Sequence, residues 1–496
     1  MIVWGVSAGS HDAALAVFDA SRPTPELLFA SHSERFSGLK NDPDLDAGLV
    51  EYAKRNWGAP GLVVWYEQPF WKAARQWLAG QGFRYQSPRE YMRARGIDAP
   101  VRSLDHHRSH AAAGYLTSGF EDATVIVVDA IGEFETATAW HARGTAMRKF
   151  YSAHYPDSLG LFYSAMTDRA GLKANEEEYI LMGMAAYGDP DRFSEDMERT
   201  FFEKAGPDPV AQTFNFHNGC ALYESDRVVS ERDLFDLAAG AQRVYERRLS
   251  MLSDLAKRKA PLPPSRNLVL AGGCALNCVA NALLLYRWDR VWVFPNPGDA
   301  GSAVGCVLAH FGRPIPWPHA MWGYDIPGPY PVEAALAELL RSGMCGVASG
   351  RAEFGPRALG NRSLLADPRG AETKARVNAI KKRQEFRPFS PAILEEHARE
   401  YFEMPPNLPS SPYMSFTVRC KKPETFPAIV HVDGTSRVQT VRESDGGFRR
   451  LLERWYEVTG CPMLLNTSLN IKGRPICNTE RDAREFAEHY GVAVFS

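Results

Sequence analysis

The chain has no run of eighteen apolar residues, so a membrane-spanning helix is not expected. Its start, MIVWGVSAGSHDAALAVF, lacks a basic stretch ahead of an apolar one. A secretory leader is therefore not expected either, and the segment reads as a pair of strands. There is no excess of one sign of charge: 57 Lys+Arg against 59 Asp+Glu leave a net charge of −2. Duplex nucleic-acid binders usually carry a clear basic excess, so nucleic acid is not an expected partner. Cysteine is dilute, 8 in 496 residues. That speaks against a disulfide scaffold and suits a reduced, cytoplasmic protein. Cys274-x3-Cys278 has no second pair to complete a zinc site and reads as buried small residues. Neither a Walker A nor a G-x-G-x-x-G pattern occurs, so P-loop and Rossmann readings lose their main support.

What is present is an ordinary globular balance, 45% hydrophobic and 23% charged, at a length that suits two or three domains. Apolar alternation predicts a strand over 2–6, a turn of small residues over 7–12, and a second strand from Ala13. A similar unit follows about 120 residues later, where the run 123–128 ends in Asp129, Gly132 and Glu133. The spacing suggests a duplicated fold. Residues 233–258 carry a helical apolar period. Asn267–Gly273 reads as a buried strand running into a glycine turn, and Val291–Phe294 as another strand. Prolines at 314, 316, 318, 327, 329 and 331 break regular structure. We place an α/β domain over 1–315, a proline-rich linker over 316–331, and a second α/β domain over 332–496.

Three groups of residues carry chemistry. His106 and His110 lie four apart, so on a helix both imidazoles share one face. Asp129 and Asp299 close apolar runs, and a carboxylate at a strand's C-terminal end opens into the ligand crevice of an α/β fold. A His2Asp2 set suits Fe(II), Zn(II) or Mn(II), and the spacing does not choose among them. Glycine turns at Gly272-Gly273 (with Asn277), at Gly132-Glu133 and at Gly301 could cradle the phosphates of a nucleotide. The last third is rich in arginine: Arg357, Arg362, Lys381, Arg387 and Arg437, with Asn466 and Ser468, fall in a series of short motifs. Guanidinium groups bind planar oxyanions through paired donors.

Read in order, HHRSH, VVDAIGE, LGLFYSAMT, MGMAAYG, LAGGCALN, NPGDAGSAVG, GRAEFGPRALGNRS, FRPFSP, HVDGTSRVQTV and LLNTSLNIKGRPI resemble the O-carbamoyltransferases of nodulation-factor and antibiotic biosynthesis. The resemblance implies an actin/Hsp70-like (ASKHA) N-terminal domain, similar to the tRNA threonylcarbamoyl-transfer protein. It implies a YrdC-like C-terminal domain that activates carbamoyl phosphate. ATP would be co-substrate, with Mg2+, and the acceptor a hydroxyl-bearing small molecule or sugar. By motif match His106, His110, Asp129 and Asp299 would hold iron. Arg357, Arg362, Lys381, Arg387, Arg437, Asn466 and Ser468 would hold carbamoyl phosphate. His11, Asp12 and Lys40 would lie near the transfer site. Ile180 and Gln384 depart from the family pattern. A homodimer is one expectation for the assembly, which stays open. Two other readings compete: an ASKHA-type small-molecule kinase, which has no use for the histidine pair, and a nucleotide-switched binding protein.

Overall fold

Two strand–turn–strand ribbons open the two sheets of the first unit, both where apolar alternation predicts them. The computed structural model describes residues 1–370 and 372–496. Residues 1–28 and 47–317 form one compact unit, and residues 29–46 and 318–496 form another.

The first sheet holds β1 (Ile2–Ser7), β2 (Ala14–Asp19), β3 (Glu26–His32, of which residues 26–28 belong to the first unit), β4 (Leu62–Trp65) and β5 (Val101–Ser103), in order β3-β2-β1-β4-β5. A second sheet holds β6 (Asp122–Val128), β7 (Glu135–Arg143), β8 (Ala146–His154), β9 (Asn267–Ala271) and β10 (Arg290–Val293), in order β8-β7-β6-β9-β10. β1 pairs antiparallel with β2 and parallel with β4; β6 does the same with β7 and β9. This repeated topology is that of the actin/Hsp70-like class. The central strands are buried along nearly their whole length, so they read as continuous apolar runs.

Small residues set the spacing of the two helices nearest the site. The helix His106–Tyr115 meets the helix Ser302–Phe311 where a Cβ on Gly305 would come within 1.9 Å of the Ser109 carbonyl oxygen. Any side chain there would separate the helices. Their close approach brings Asp299 and Ser302, at the start of one helix, beside His110 on the other. The predicted helix over 233–258 forms as Glu231–Lys259, entered by a reciprocal cap between Ser230 and Asp233.

In the second unit, β12 (Met344–Ala348), β14 (Arg362–Ala366), β15 (Ser390–Leu394), β18 (Gln439–Val441), β19 (Met463–Ser468) and β20 (Val494–Phe495) form a mixed sheet of order β18-β15-β19-β14-β12-β20, while β16 (Thr417–Arg419) and β17 (Thr435–Arg437) make a separate antiparallel pair. The helices Val332–Ser342 and Gly446–Thr459 cover it, burying Leu336, Leu339, Phe448, Leu451 and Trp455 against Val347 and Leu365. The stretch 316–331, read above as a linker, contains β11 (Met321–Ile326), which pairs antiparallel with β13 (Gly350–Glu353). Residues 29–46 enter this unit through Arg35, a buried side chain that donates to the Gly355 carbonyl at 2.9 Å. No helix among the described residues is long and apolar enough to cross a membrane.

Candidate functional site

The helix His106–Tyr115 begins at Asp105 and runs through three alanines, which favour helix and take little space. His106 and His110 point to one side of it. Asp129 arrives at the end of β6, and Asp299 in the turn before Ser302. One ligand atom from each of the four lies within 4.8 Å of the others. His106 Nε2 is 2.9 Å from Asp129 Oδ2 and 3.0 Å from His110 Nε2. Asp299 Oδ1 stands 3.6 Å from His106 Nε2 and 3.4 Å from His110 Nε2. His110 Nδ1 faces Ser302 Oγ at 3.2 Å, which turns Nε2 toward the cluster. The middle histidine, His107, looks away to Thr138 Oγ1 at 3.1 Å.

The electrostatics show what the cluster needs. Burial pushes His106 down, but the Asp299 and Asp129 carboxylates outweigh it and hold the imidazole up at about 10. His110 is raised and Asp129 lies well below the usual carboxylate range, both against burial, because each has opposite charge beside it. Two carboxylates in a buried place demand positive charge, as protons on the imidazoles or as a cation replacing them. The donor set and its convergence fit a divalent transition metal.

Beside this cluster, His11 Nδ1 is 3.1 Å from Asp12 Oδ2, and His11 Nε2 is 2.8 Å from the Asn175 carbonyl oxygen. Both ring nitrogens face acceptors, so the ring is held as imidazolium. Burial opposes this, and Asp12 with Asp299 overcomes it, raising the ring to about 9. His11, which the resemblance puts near the transfer site, thus meets an acceptor at each ring nitrogen, an arrangement that favours its protonated form. Lys40 belongs to the other unit, with residues 29–46.

The residues read as a phosphate cradle have other partners. Glu133 Oε1 accepts from the Gln68 N–H at 2.6 Å and the His106 N–H at 3.0 Å. The carboxylate therefore caps the histidine helix, a role with no local signal because the partners are 65 and 27 residues away. Asn277 caps the helix Cys278–Leu284 by accepting from Ala280 N–H, and it exchanges hydrogen bonds with Gln242. A Cβ on Gly272 would fall 2.2 Å from the Val128 carbonyl oxygen, and one on Gly301 would fall 1.8 Å from that of Asn296. Gly132 lies against His106 and His107. Close packing accounts for these three glycines without a ligand. Gly273 differs: its N–H donates to Asp129 Oδ1 at 3.1 Å, which ties the turn to the cluster.

In the second unit Lys381 is buried at the end of the helix Glu372–Lys381. It donates to the Ser468 carbonyl oxygen at 2.6 Å, to the Asn470 carbonyl oxygen at 3.1 Å and also to Asn470 Oδ1, acceptors that an incoming anion would have to displace. Burial and the nearby Arg383 push its ammonium down to about 7. Across the sheet, Asn466 sits opposite Ser390, and Ser468 opposite Ser363. Asn466 Nδ2 donates to Gln439 Oε1 at 2.8 Å and to the Ala358 carbonyl oxygen at 3.2 Å. Its buried Oδ1 has no partner, an acceptor left for a bound group. Arg437 Nε donates to Ser390 Oγ at 3.2 Å. Lys381, Arg437, Asn466 and Ser468 thus share one end of the sheet, and half-buried Arg357 adjoins Ala358. Arg387 lies on the loop after Lys381, with Nη1 3.4 Å from Gln384 Oε1. Ser390, Gln439 and Asn470 belong to the same network. They stand inside the quoted motifs, yet only the pairing of the strands shows that they meet.

Arg362 is a correction. It is fully buried, and its donors go to the carbonyl oxygens of Asn478, Ser349, Asn361, Tyr324 and Gly350. No donor is left for an oxyanion. Glu353 Oε1 completes the scaffold by accepting from the N–H groups of Leu359, Asn361 and Arg362. Arg362→Met should therefore lower the unfolding free energy by about 3–5 kcal/mol, since five carbonyls, two of them buried and three part-buried, lose their donor. Denaturant unfolding of the two proteins measures this; an unchanged midpoint would return Arg362 to a ligand role.

Models of the carbamoyltransferase N-terminus and C-terminus match residues 65–308 and 337–495. The chain belongs to the carbamoyltransferase family, and it is an enzyme of that class. It is 35% identical to nodulation protein NolO of Bradyrhizobium diazoefficiens, over 77% of this chain and 75% of that protein. It is 28% identical to the 3'-hydroxymethylcephem-O-carbamoyltransferase of Amycolatopsis lactamdurans, over 97% of this chain and 96% of that one. A solved HypF from T. kodakarensis is similar at 12% identity and a TM-score of 0.34, over 63% of this chain and 47% of HypF.

Proposed function

We propose that the protein is an ATP-dependent O-carbamoyltransferase whose second unit makes carbamoyl-AMP and whose first unit delivers the carbamoyl group to a hydroxyl. The observation that carries this reading is the convergence of His106, His110, Asp129 and Asp299, in a chain that also gathers Lys381, Arg437, Asn466 and Ser468.

Carbamoyl phosphate and water give carbamate and phosphate. The carbamate oxygen then attacks the α-phosphorus of ATP, with Mg2+ accompanying the nucleotide, and pyrophosphate leaves. Lys381 and Arg437 neutralise the phosphate charge, and the open Asn466 Oδ1 accepts from the carbamoyl NH2. Arg357 and Arg387 are the further cations of this pocket. The acceptor hydroxyl loses its proton to Asp12 and attacks the carbamoyl carbon, and AMP leaves. His11 stays protonated and stabilises the negative charge that builds on the departing phosphate. A divalent metal, iron on our reading, would be held by His106, His110, Asp129 and Asp299 and would supply Lewis-acid polarisation. The eight cysteines are all free, in keeping with a cytoplasmic protein.

The test is direct. Incubating the protein with ATP and carbamoyl phosphate should yield carbamoyl-AMP by mass spectrometry and exchange of labelled pyrophosphate into ATP. Formation of ADP with a phosphorylated acceptor would favour the kinase reading instead.

A further inference from the structure

Within the first unit, the sequence from Gln68 to Arg89 concentrates large apolar side chains on its surface. Phe70, Trp71, Trp77, Leu78, Phe83 and Tyr85 are each more than half exposed. The rings of Phe70 and Trp71 lie 5.3 Å apart, and those of Phe70 and Phe83 lie 6.0 Å apart. Concentrated apolar exposure of this kind marks a place where something binds. The same stretch holds Lys72, Arg75, Arg84 and Arg89 and no acid.

Three anchors fix the helix Pro69–Leu78, which carries this face, to the transfer site. Glu133 accepts from Gln68 N–H with the oxygen that also caps the histidine helix at His106. Arg75 Nε donates to the Glu133 carbonyl oxygen at 3.1 Å. Lys72 Nζ donates to the Gly9 carbonyl oxygen at 2.9 Å, to Ser10 Oγ at 2.8 Å and to Glu67 at 2.8 Å. Gly9 and Ser10 immediately precede His11 and Asp12. The loop beyond the helix also reaches this turn, since a Cβ on Gly9 would lie 2.9 Å from Gln86 Oε1. A helix pinned so firmly has no packing reason to present three aromatic rings to water. Lys72 and Arg75 are occupied by these anchors, while Arg84 and Arg89 are exposed.

We propose that this aromatic, cationic face docks the acceptor, and that it selects a hydroxyl-bearing molecule with a flat apolar surface and an anionic group over a cationic one. The inference rests on the transfer reading above and names the substrate class of that site. The rings cover the apolar surface, and the arginines complement the acid and repel an amine.

Three matched probes test it: para-hydroxymethylbenzoate, para-methylbenzyl alcohol and para-aminomethylbenzyl alcohol, titrated by calorimetry into the full chain. Because binding needs no turnover, this arm reports on docking even if carbamoyl-AMP is never formed. The acid should bind at least about tenfold tighter than the amine, with the neutral alcohol between. Trp71→Ala should weaken the acid about tenfold, Trp71→Phe should restore most of it, and Arg84→Glu should reverse the order of acid and amine. In turnover, Trp71→Ala should raise KM for the acid and leave kcat and pyrophosphate exchange unchanged. Equal affinities for the three probes, or an unaltered affinity in Trp71→Ala, would overturn the proposal. So would a Trp71→Glu variant that converts a dimer to a monomer in light scattering, since a second copy would then cover the face.

Discussion

Replacing His110 by alanine should cut carbamoyl transfer on the order of a thousandfold and leave carbamoyl-phosphate-dependent pyrophosphate exchange near the parent value. His110 Nε2 lies within 3.4 Å of both carboxylates and 3.0 Å from His106 Nε2, so its loss removes a central member of the cluster. The remaining His106, Asp129 and Asp299 keep two negative charges with one imidazole to balance them. Metal content by plasma emission should fall with transfer, and chelation of the parent should reproduce the same split. The helix itself should survive, because its alanines and the Glu133 cap do not involve the imidazole. Full transfer by metal-free His110→Ala would remove the cluster from the chemistry. Loss of exchange together with transfer would mean that activation, too, depends on the first unit.

The converse separation is expected at Lys381. Lys381→Ala should abolish pyrophosphate exchange, by about a hundredfold or more, while carbamoyl-AMP supplied from outside is still transferred. Arg437→Ala should behave alike. Lys381 also sets a pH dependence. Its ammonium is held down to about 7, so above that pH the free site is increasingly neutral. An anion binds the protonated form; affinity for carbamoyl phosphate should therefore weaken as pH rises past neutrality, approaching about tenfold per pH unit. Lys381→Arg, whose guanidinium stays charged, should flatten that dependence. A flat profile in the parent would show that Lys381 does not meet the phosphate.

Much of the first site was legible because local spacing encodes it. Two histidines four apart need only a helix to share a face, and an acid ending an apolar run needs only a strand to reach the sheet's edge. The duplicated β1–β2 and β6–β7 ribbons were legible for the same reason. Partnerships across long intervals were not. Nothing near Glu133 announces that its carboxylate caps a helix beginning 27 residues earlier. Arg362 and Arg437 look alike in their motifs; only the five carbonyls around Arg362 separate a scaffold cation from one that faces a neighbouring hydroxyl. That both nitrogens of His11 face acceptors is visible only once Asp12 and Asn175 are seen beside it.

Residues 29–46, which leave the first unit to join the second, make modular exchange among relatives more demanding. A chimaera cut once near Trp317 would combine one parent's Arg35 with the other parent's Gly355 backbone. Recombination that keeps this buried contact native must move two segments of the gene together, so the halves of this enzyme are expected to be inherited as a set.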